Sequence, residues 1–289
     1  MSGLTNKIDF EVIISATDAN PNGDPLSGNR PRINSQGFGE ISDVCIKRKI
    51  RNRLQDMGER VFVQSDDRCD DGCDSLRTRA DSCEELKKVS SGKNTNKDEY
   101  ARIACEQWID VRSFGQVFAF KGDAVSVGIR GPVSLSIAKS VSPIDIVSMQ
   151  ITKSVNSESV KGGKASDTMG TKNRIEFGLY VFKGSINCQL AEKTGFSDED
   201  AEKIKQALVT LFENDCSSAR PEGSMQVCRV YWWKHDSKTP MVSSAKIHNS
   251  VQVKEKTSLN GRTPMSIDDY DIIFSNPEGA VQPEIIDNI

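Results

Sequence analysis

Ile8-Asp9-Phe10-Glu11-Val12-Ile13-Ile14-Ser15-Ala16 sets Ile8, Phe10, Val12 and Ile14 at period two, the pattern of a strand with one face in a core. Downstream, Ser42 is a helix N-cap with Asp43 in the first turn, and Gly58 is a stop. Between them Ile46, Ile50, Leu54 and Met57 recur at helical spacing, with Lys47, Arg48, Lys49, Arg51 and Arg53 filling the rest. The spacing predicts an amphipathic helix over 42–57 that presents its bases from its start. Strand patterns return at 125–129, 133–140, 175–190 and 226–234, the 175–190 stretch reading as a long strand or hairpin. Ser197 caps a second helix whose stripe is Ala201, Ile204, Leu208, Leu211 and Phe212. The order β-α-β-β-α-β is that of a split βαβ, ferredoxin-like or RNA-recognition-motif (RRM) fold of class α+β.

Two intervals interrupt that order. Residues 59–125 are charged and poorly periodic, an insertion of short helices with a mobile stretch near 90–97. Residues 144–174 are polar and carry too little apolar surface for a core of their own, which reads as an extended hairpin or arm. The palm is therefore drawn from 1–58, 126–143 and 175–255, leaving 256–289 as an acidic C-terminal segment.

Charge is unevenly distributed. The 289 residues hold 38 Lys and Arg against 41 Asp and Glu, a formal −3. Residues 264–289 hold six acids and no Lys or Arg, so 1–263 carry +3. Residues 30–53 hold seven bases against Glu40 and Asp43. Such a concentrated basic segment suits phosphate contact or, as the plainer reading, a solvated helix face. No apolar run approaches 18 residues, which excludes a helical membrane span, and 1–7 lack the apolar core of a signal peptide. Eight cysteines in that context are expected to be free thiols in a reducing cytoplasm.

Few residue groups carry chemistry. Cys69, Cys73, Cys83 and Cys105 are too loosely spaced for a zinc site, so no metal and no cofactor are expected. His235 and His248 stand outside any hydrolase motif. Asp18 and Asp24, in and beside the Asn20-Pro21-Asn22-Gly23-Asp24-Pro25 turn region, either shape the turn or hold Mg²⁺ for phosphodiester cleavage, with turn geometry the weightier. Alternation buries at least one ring of Trp232-Trp233 and leaves the other open to base stacking. Gly162-Gly163 match no phosphate-binding loop. In the arm, Ile151 and Met169 stand apart among Lys153, Lys161, Lys164, Lys172 and Arg174. Apolar wedges amid bases suit a protrusion that unstacks a nucleic acid, or else a subunit-contact loop.

Five motifs occur in a fixed order: Asn20-Pro21-Asn22-Gly23-Asp24-Pro25, Ile46-Lys47-Arg48-Lys49-Ile50-Arg51-Asn52, Asp110-Val111-Arg112-Ser113-Phe114-Gly115, Gly131-Pro132-Val133 and Met169-Gly170-Thr171-Lys172. Together, over roughly 8–255, they resemble the Cas7 family of the RAMP superfamily, the backbone subunit of the type I CRISPR surveillance complex Cascade. They stand nearest the type I-C branch. The resemblance implies a palm, helical fingers at 59–125 and a thumb at 144–174. It implies a non-enzymatic subunit of antiviral defence that polymerises along crRNA as a helical filament and presents it to a target DNA strand. Further copies of itself and the capping, large and small Cascade subunits would be its other partners.

Carried over from the family, Arg30, Ser42, Lys47, Arg48 and Arg51 would lie on the guide backbone. Ile151, Thr152 and Met169, with Lys172, would meet the displaced base. Phosphate and sugar contacts fit a guide of arbitrary sequence, since pairing supplies the specificity. Related type III subunits cleave RNA with an Asp, so a metal-dependent ribonuclease using Asp18 or Asp24 is the alternative. A protein scaffold, its basic helix meeting an acidic segment such as 264–289, is a third.

Overall fold

The computed structural model describes residues 3–90, 96–120, 126–155 and 169–288. The opening strand is β1 (Ile8–Ala19). A short ladder of β2 (Gly23–Asp24) with β3 (Arg30–Pro31) closes the loop after it, and β4 (Phe38–Ile41) leads into α1 (Asp43–Asp56). Ser42 caps α1, its Oγ accepting from the Cys45 N–H at 3.3 Å, and Gly58 follows in the left-handed region at φ +85°.

The insertion comprises α2 (Leu76–Ser82), α3 (Glu84–Ser90), α4 (Lys97–Gln107), α5 (Ile109–Phe114) and a hairpin of β5 (Gly115–Phe118) with β6 (Val127–Arg130). It has an apolar cluster of its own around Phe62, Leu86, Tyr100, Trp108, Phe118 and Val127. The Phe62 ring centroid lies 4.7 Å from Trp108 and 4.9 Å from Phe118. A strand pattern alone puts 126–130 with the palm, yet β6 pairs with β5 and Val127 packs in the insertion's cluster. Where the insertion rejoins the main sheet, two backbones cross closely. A Cβ on Gly115 (φ +80°) would come 2.3 Å from the Ile129 carbonyl oxygen, and one on Gly131 2.3 Å from that of Ser113. Glycine at both positions is what lets this crossing form.

Four strands follow: β7 (Val133–Leu135), β8 (Ala138–Pro143), β9 (Ile146–Thr152) and the 18-residue β10 (Met169–Ile186). The outer part of β10 pairs with β9 and the inner part with β1, so the arm is a continuation of the strand beside β1. β10 stops at Ile186, where Asn187 turns the chain into α6 (Cys188–Thr194) by accepting from the Leu190 N–H; the strand expected to reach 190 is cut short by this cap. Ser197 caps α7 (Asp198–Val209) in a capping box with Asp200. The chain then forms β11 (Met225–Lys234), α8 (Ser244–His248), β12 (Val251–Glu255), β13 (Tyr270–Phe274) and β14 (Glu284–Asp287).

Among the described residues eight strands make one sheet, ordered β14-β11-β1-β10-β8-β4, with β7 and β9 also on β10. Central β1 sends Ile8, Phe10, Val12 and Ile14 into a core with Ile46, Ile50 and Leu54 of α1 and Ala201, Ile204 and Leu208 of α7. Burying each large side chain there contributes about 1.5–3 kcal/mol. The opposite face is covered too, by a layer containing Val242, Ile247, Val251 and Tyr270 against Ile13, Leu179, Tyr231 and Trp233. Trp232 and Trp233 therefore point to opposite faces and are both buried, so the ring left open to base stacking is core as well. The acidic segment folds back rather than trailing free. β14 forms a sheet edge against β11, with Glu284 on Lys205 at 2.6 Å and Asp287 on Arg229.

Candidate nucleic-acid interface

The loop after β1 is pinned at both ends. Asn22 Oδ1 accepts from the backbone N–H of Ser42 at 2.9 Å and from its hydroxyl at 3.0 Å. Asn20 donates to the Asn29 carbonyl at 2.7 Å, and Asn173, in the part of β10 paired with β9, donates to the Gly28 carbonyl at 3.2 Å. One loop thus joins the start of α1 to the base of the β9–β10 hairpin. Asp24 caps the turn it begins, accepting from the Leu26 N–H at 3.1 Å and the Ser27 hydroxyl at 3.0 Å, with Arg32 at 3.5 Å. Asp18 sits at φ +50° and pairs with Arg174. Both carboxylates shape the loop, and Arg30 stands exposed on it.

The bases of α1 divide sharply. Lys47 is paired only one turn back, with Asp43 at 3.0 Å, the kind of surface pair worth about 0.3–0.5 kcal/mol and easily exchanged for a phosphate. Arg48 donates to the Val63 carbonyl at 2.6 Å. Arg51 Nε donates to Asp110 at 2.8 Å, and Arg53 Nε to the Thr210 hydroxyl at 2.7 Å. Lys49 is buried against Asp215, and that burial pushes its ammonium below the ordinary lysine range while the carboxylate opposes the change. A helix expected to present its bases outward instead turns most of them inward. It is packed by the insertion on one side and by the end of α7 on another, and internal acceptors lie within reach.

In the hairpin, Met169 faces Thr152, Gly170 faces Ile151, and Lys172 faces Met149. Successive strand residues alternate faces. Met169 and Thr152 therefore share one face, while Ile151, Met149 and Lys172 share the other. Ile151, Thr152, Met169 and Lys172 lie in one hairpin, but as two opposite pairs. Met169, 65% exposed, also receives the Gln150 amide on its sulfur at 3.1 Å. Lys161, Lys164 and Gly162-Gly163 lie outside the described residues.

Cys69, His235 and His248 have partners within the fold. Cys69 Sγ points at the Cys73 carbonyl at 3.1 Å, and among the described residues no three His, Cys, Asp or Glu side chains gather as for a metal. His235 bonds Asp9 at 2.8 Å inside the core, and His248 the Gly184 carbonyl at 3.1 Å. Among the described residues no helix is long and apolar enough to cross a membrane. Sequence reasoning missed Asp110, Asp200, Asn22 and Asn173 as the groups that hold these pieces together. A signal for Lys49 did exist: it falls three residues after Ile46 and beside Ile50, on the buried side of the wheel.

The family model for CRISPR-associated protein Cas7 matches residues 6–275. A curated relative from Haloferax volcanii, described as CRISPR-associated protein Cas7, is 27% identical over 250 residues, spanning 78% of this chain and 69% of that one. Among solved structures, a chain of a CRISPR RNA-guided surveillance complex in its pre-nicking state superposes with a TM-score of 0.51 at 14% identity. That match covers 88% of this chain and 85% of the other, a likeness of fold. With the family match spanning nearly the whole length and the five motifs falling at the loop, helix, crossing and hairpin just described, the chain belongs to the CRISPR-associated Cas7 family.

Proposed function

We propose that this protein is a non-catalytic backbone subunit that binds crRNA, assembles with further copies of itself and other Cascade subunits, and presents the guide to a target DNA strand. The observation that carries this reading is the pinned loop. Through Asn22 and Asn173 it holds the start of α1, with Ser42, Lys47 and nearby Arg30, beside the hairpin bearing Met169 and Lys172. Cations that hold phosphates and an exposed apolar tip that displaces a base are then parts of one surface. The strand order β11-β1-β10-β8, flanked on one face by α1 and α7, supports a ferredoxin-like palm. The separate cluster of the insertion supports fingers, and the five ordered motifs support the type I-C branch. Asp18 and Asp24, each beside an arginine, favour structural service over cleavage.

The test is a salt series of crRNA binding with Arg30→Ala/Lys47→Ala. Each lost phosphate contact flattens the log–log slope by about 0.7 for single strands. The double variant is expected to lose about 1.4 of the slope and to weaken all RNA sequences alike. An unchanged slope removes these two residues from the guide.

A further inference from the structure

We infer that Arg48 and Arg51 serve the guide as positioning residues, fastening the fingers to α1 through the Val63 carbonyl and Asp110 respectively, rather than as phosphate contacts. This inference rests on the crRNA-binding reading above. Asp110 is fully buried, at 0% exposure. Its Oδ2 accepts from Arg51 Nε at 2.8 Å and from the Val63 N–H at 3.0 Å, and its Oδ1 from the Phe62 N–H at 2.7 Å. On the other side of the same segment, Arg48 Nη1 holds the Val63 carbonyl at 2.6 Å. The backbone at 62–63 is thereby gripped from both directions, and Phe62 is the residue around which the fingers' aromatic cluster packs.

Arg51 has little freedom to do anything else. Its side chain is 12% exposed, and its guanidinium lies 5.1 Å from the centroid of the Phe114 ring. A buried carboxylate with three donors is satisfied only while all three remain, so removing the arginine leaves an uncompensated charge. Two residues further along α5, Arg112 makes a two-pronged pair with Asp200, Nη2 to Oδ1 at 2.7 Å and Nε to Oδ2 at 3.1 Å. Asp200 is itself the closing member of the α7 capping box. The motif beginning Asp110-Val111-Arg112 therefore ties the fingers to both palm helices. A guide running past the start of α1 would meet fingers held at one distance from that helix, the precondition for even spacing along a filament.

The experiment uses the full chain with a single-stranded, unstructured RNA and four proteins: wild type, Arg51→Lys, Asp110→Asn and their combination. Positioning predicts that both single variants lose affinity by on the order of tenfold and that the combination is no worse than either by more than about twofold. It also predicts that all four keep the wild-type salt slope. A phosphate-contacting Arg51 predicts instead near-normal binding for Arg51→Lys, which retains the charge, and unchanged or tighter binding for Asp110→Asn, which frees the guanidinium; that pattern overturns the inference. Amide exchange at Phe62 and Val63 in RNA-free protein keeps the two readings apart. Arg51→Lys should speed it at least tenfold whether or not RNA binds, and unchanged protection there overturns the latch. A wild type that fails to bind RNA counts against the crRNA reading alone.

Discussion

Glu11→Gln should make the protein more stable relative to wild type as the pH rises, and the structure sets the size of the effect. Glu11 points from central β1 into the layer behind the sheet, its side chain 1% exposed. The nearest cation is Lys183 at 3.7 Å, whose ammonium already donates to the His248 carbonyl at 2.6 Å, and among the described residues Glu11 Oε2 has no hydrogen-bond partner. Burial raises its carboxyl from the ordinary 4.5 to about 7, with Lys183 offsetting only part of the penalty. Asp9, two residues earlier, is a contrast. Burial alone would raise it too, but the His235 bond at 2.8 Å and Lys7 at 3.3 Å outweigh that and hold it below its ordinary value.

For Glu11, the folded state binds the proton more tightly than the unfolded chain does. Its contribution is fully present below about pH 4.5 and is lost as the pH climbs through 7. At about 1.36 kcal/mol per pH unit, the rise from 4.5 to about 7 amounts to about 3 kcal/mol by pH 8. Glutamine keeps the shape and cannot ionise. Urea unfolding at pH 5, 6, 7 and 8 should show the variant-minus-wild-type difference growing by about 2.5 kcal/mol in the variant's favour, since a part of the effect is already present at pH 5. A difference flat to within about 0.5 kcal/mol across the series, within the error of extrapolation, would refute the account.

Two further outcomes are expected. The proposed base-displacing role of the hairpin predicts that, in assembled complexes, Met169→Gly raises the chemical reactivity of the displaced guide bases several-fold, whereas Ile151→Gly, on the opposite face of the hairpin, leaves it within about twofold; equal effects would remove the proposed wedge from the Met169–Thr152 face. Brief alkylation at pH 8 should label exposed Cys69 and Cys216 and spare buried Cys105, whose thiol burial has pushed up to about 12. Early labelling of Cys105 would mean that the insertion's apolar cluster opens readily.

Much of the architecture was legible in the residue order because it rests on local rules. Alternation at Ile8, Phe10, Val12 and Ile14 determined a strand with one face in the core. The Ser42 and Ser197 caps placed the starts of both sheet-covering helices, although α7 ends at Val209, short of the Phe212 its stripe suggested, and the ordered motifs pointed to the family. Local rules are carried by neighbours in sequence, so they survive being read one window at a time. The destinations of charged side chains are not local. Arg51 looks like any surface base until Asp110, 59 residues away, comes within 2.8 Å. The segment 264–289 looks like a free acidic tail until Lys205 and Arg229 line the sheet edge that receives it. Trp232 and Trp233 were both determined to lie in a strand, but only the second covering layer decided that neither ring reaches solvent. Likewise the pairing of Met169 with Thr152, and not with Ile151, follows from a register that depends on where two distant strands meet. A sequence specifies which groups are available for burial or pairing. Which of them are left for a ligand depends on the partners that folding brings within a few ångströms, since a charge held in the interior by a complementary group is no longer free to bind a phosphate.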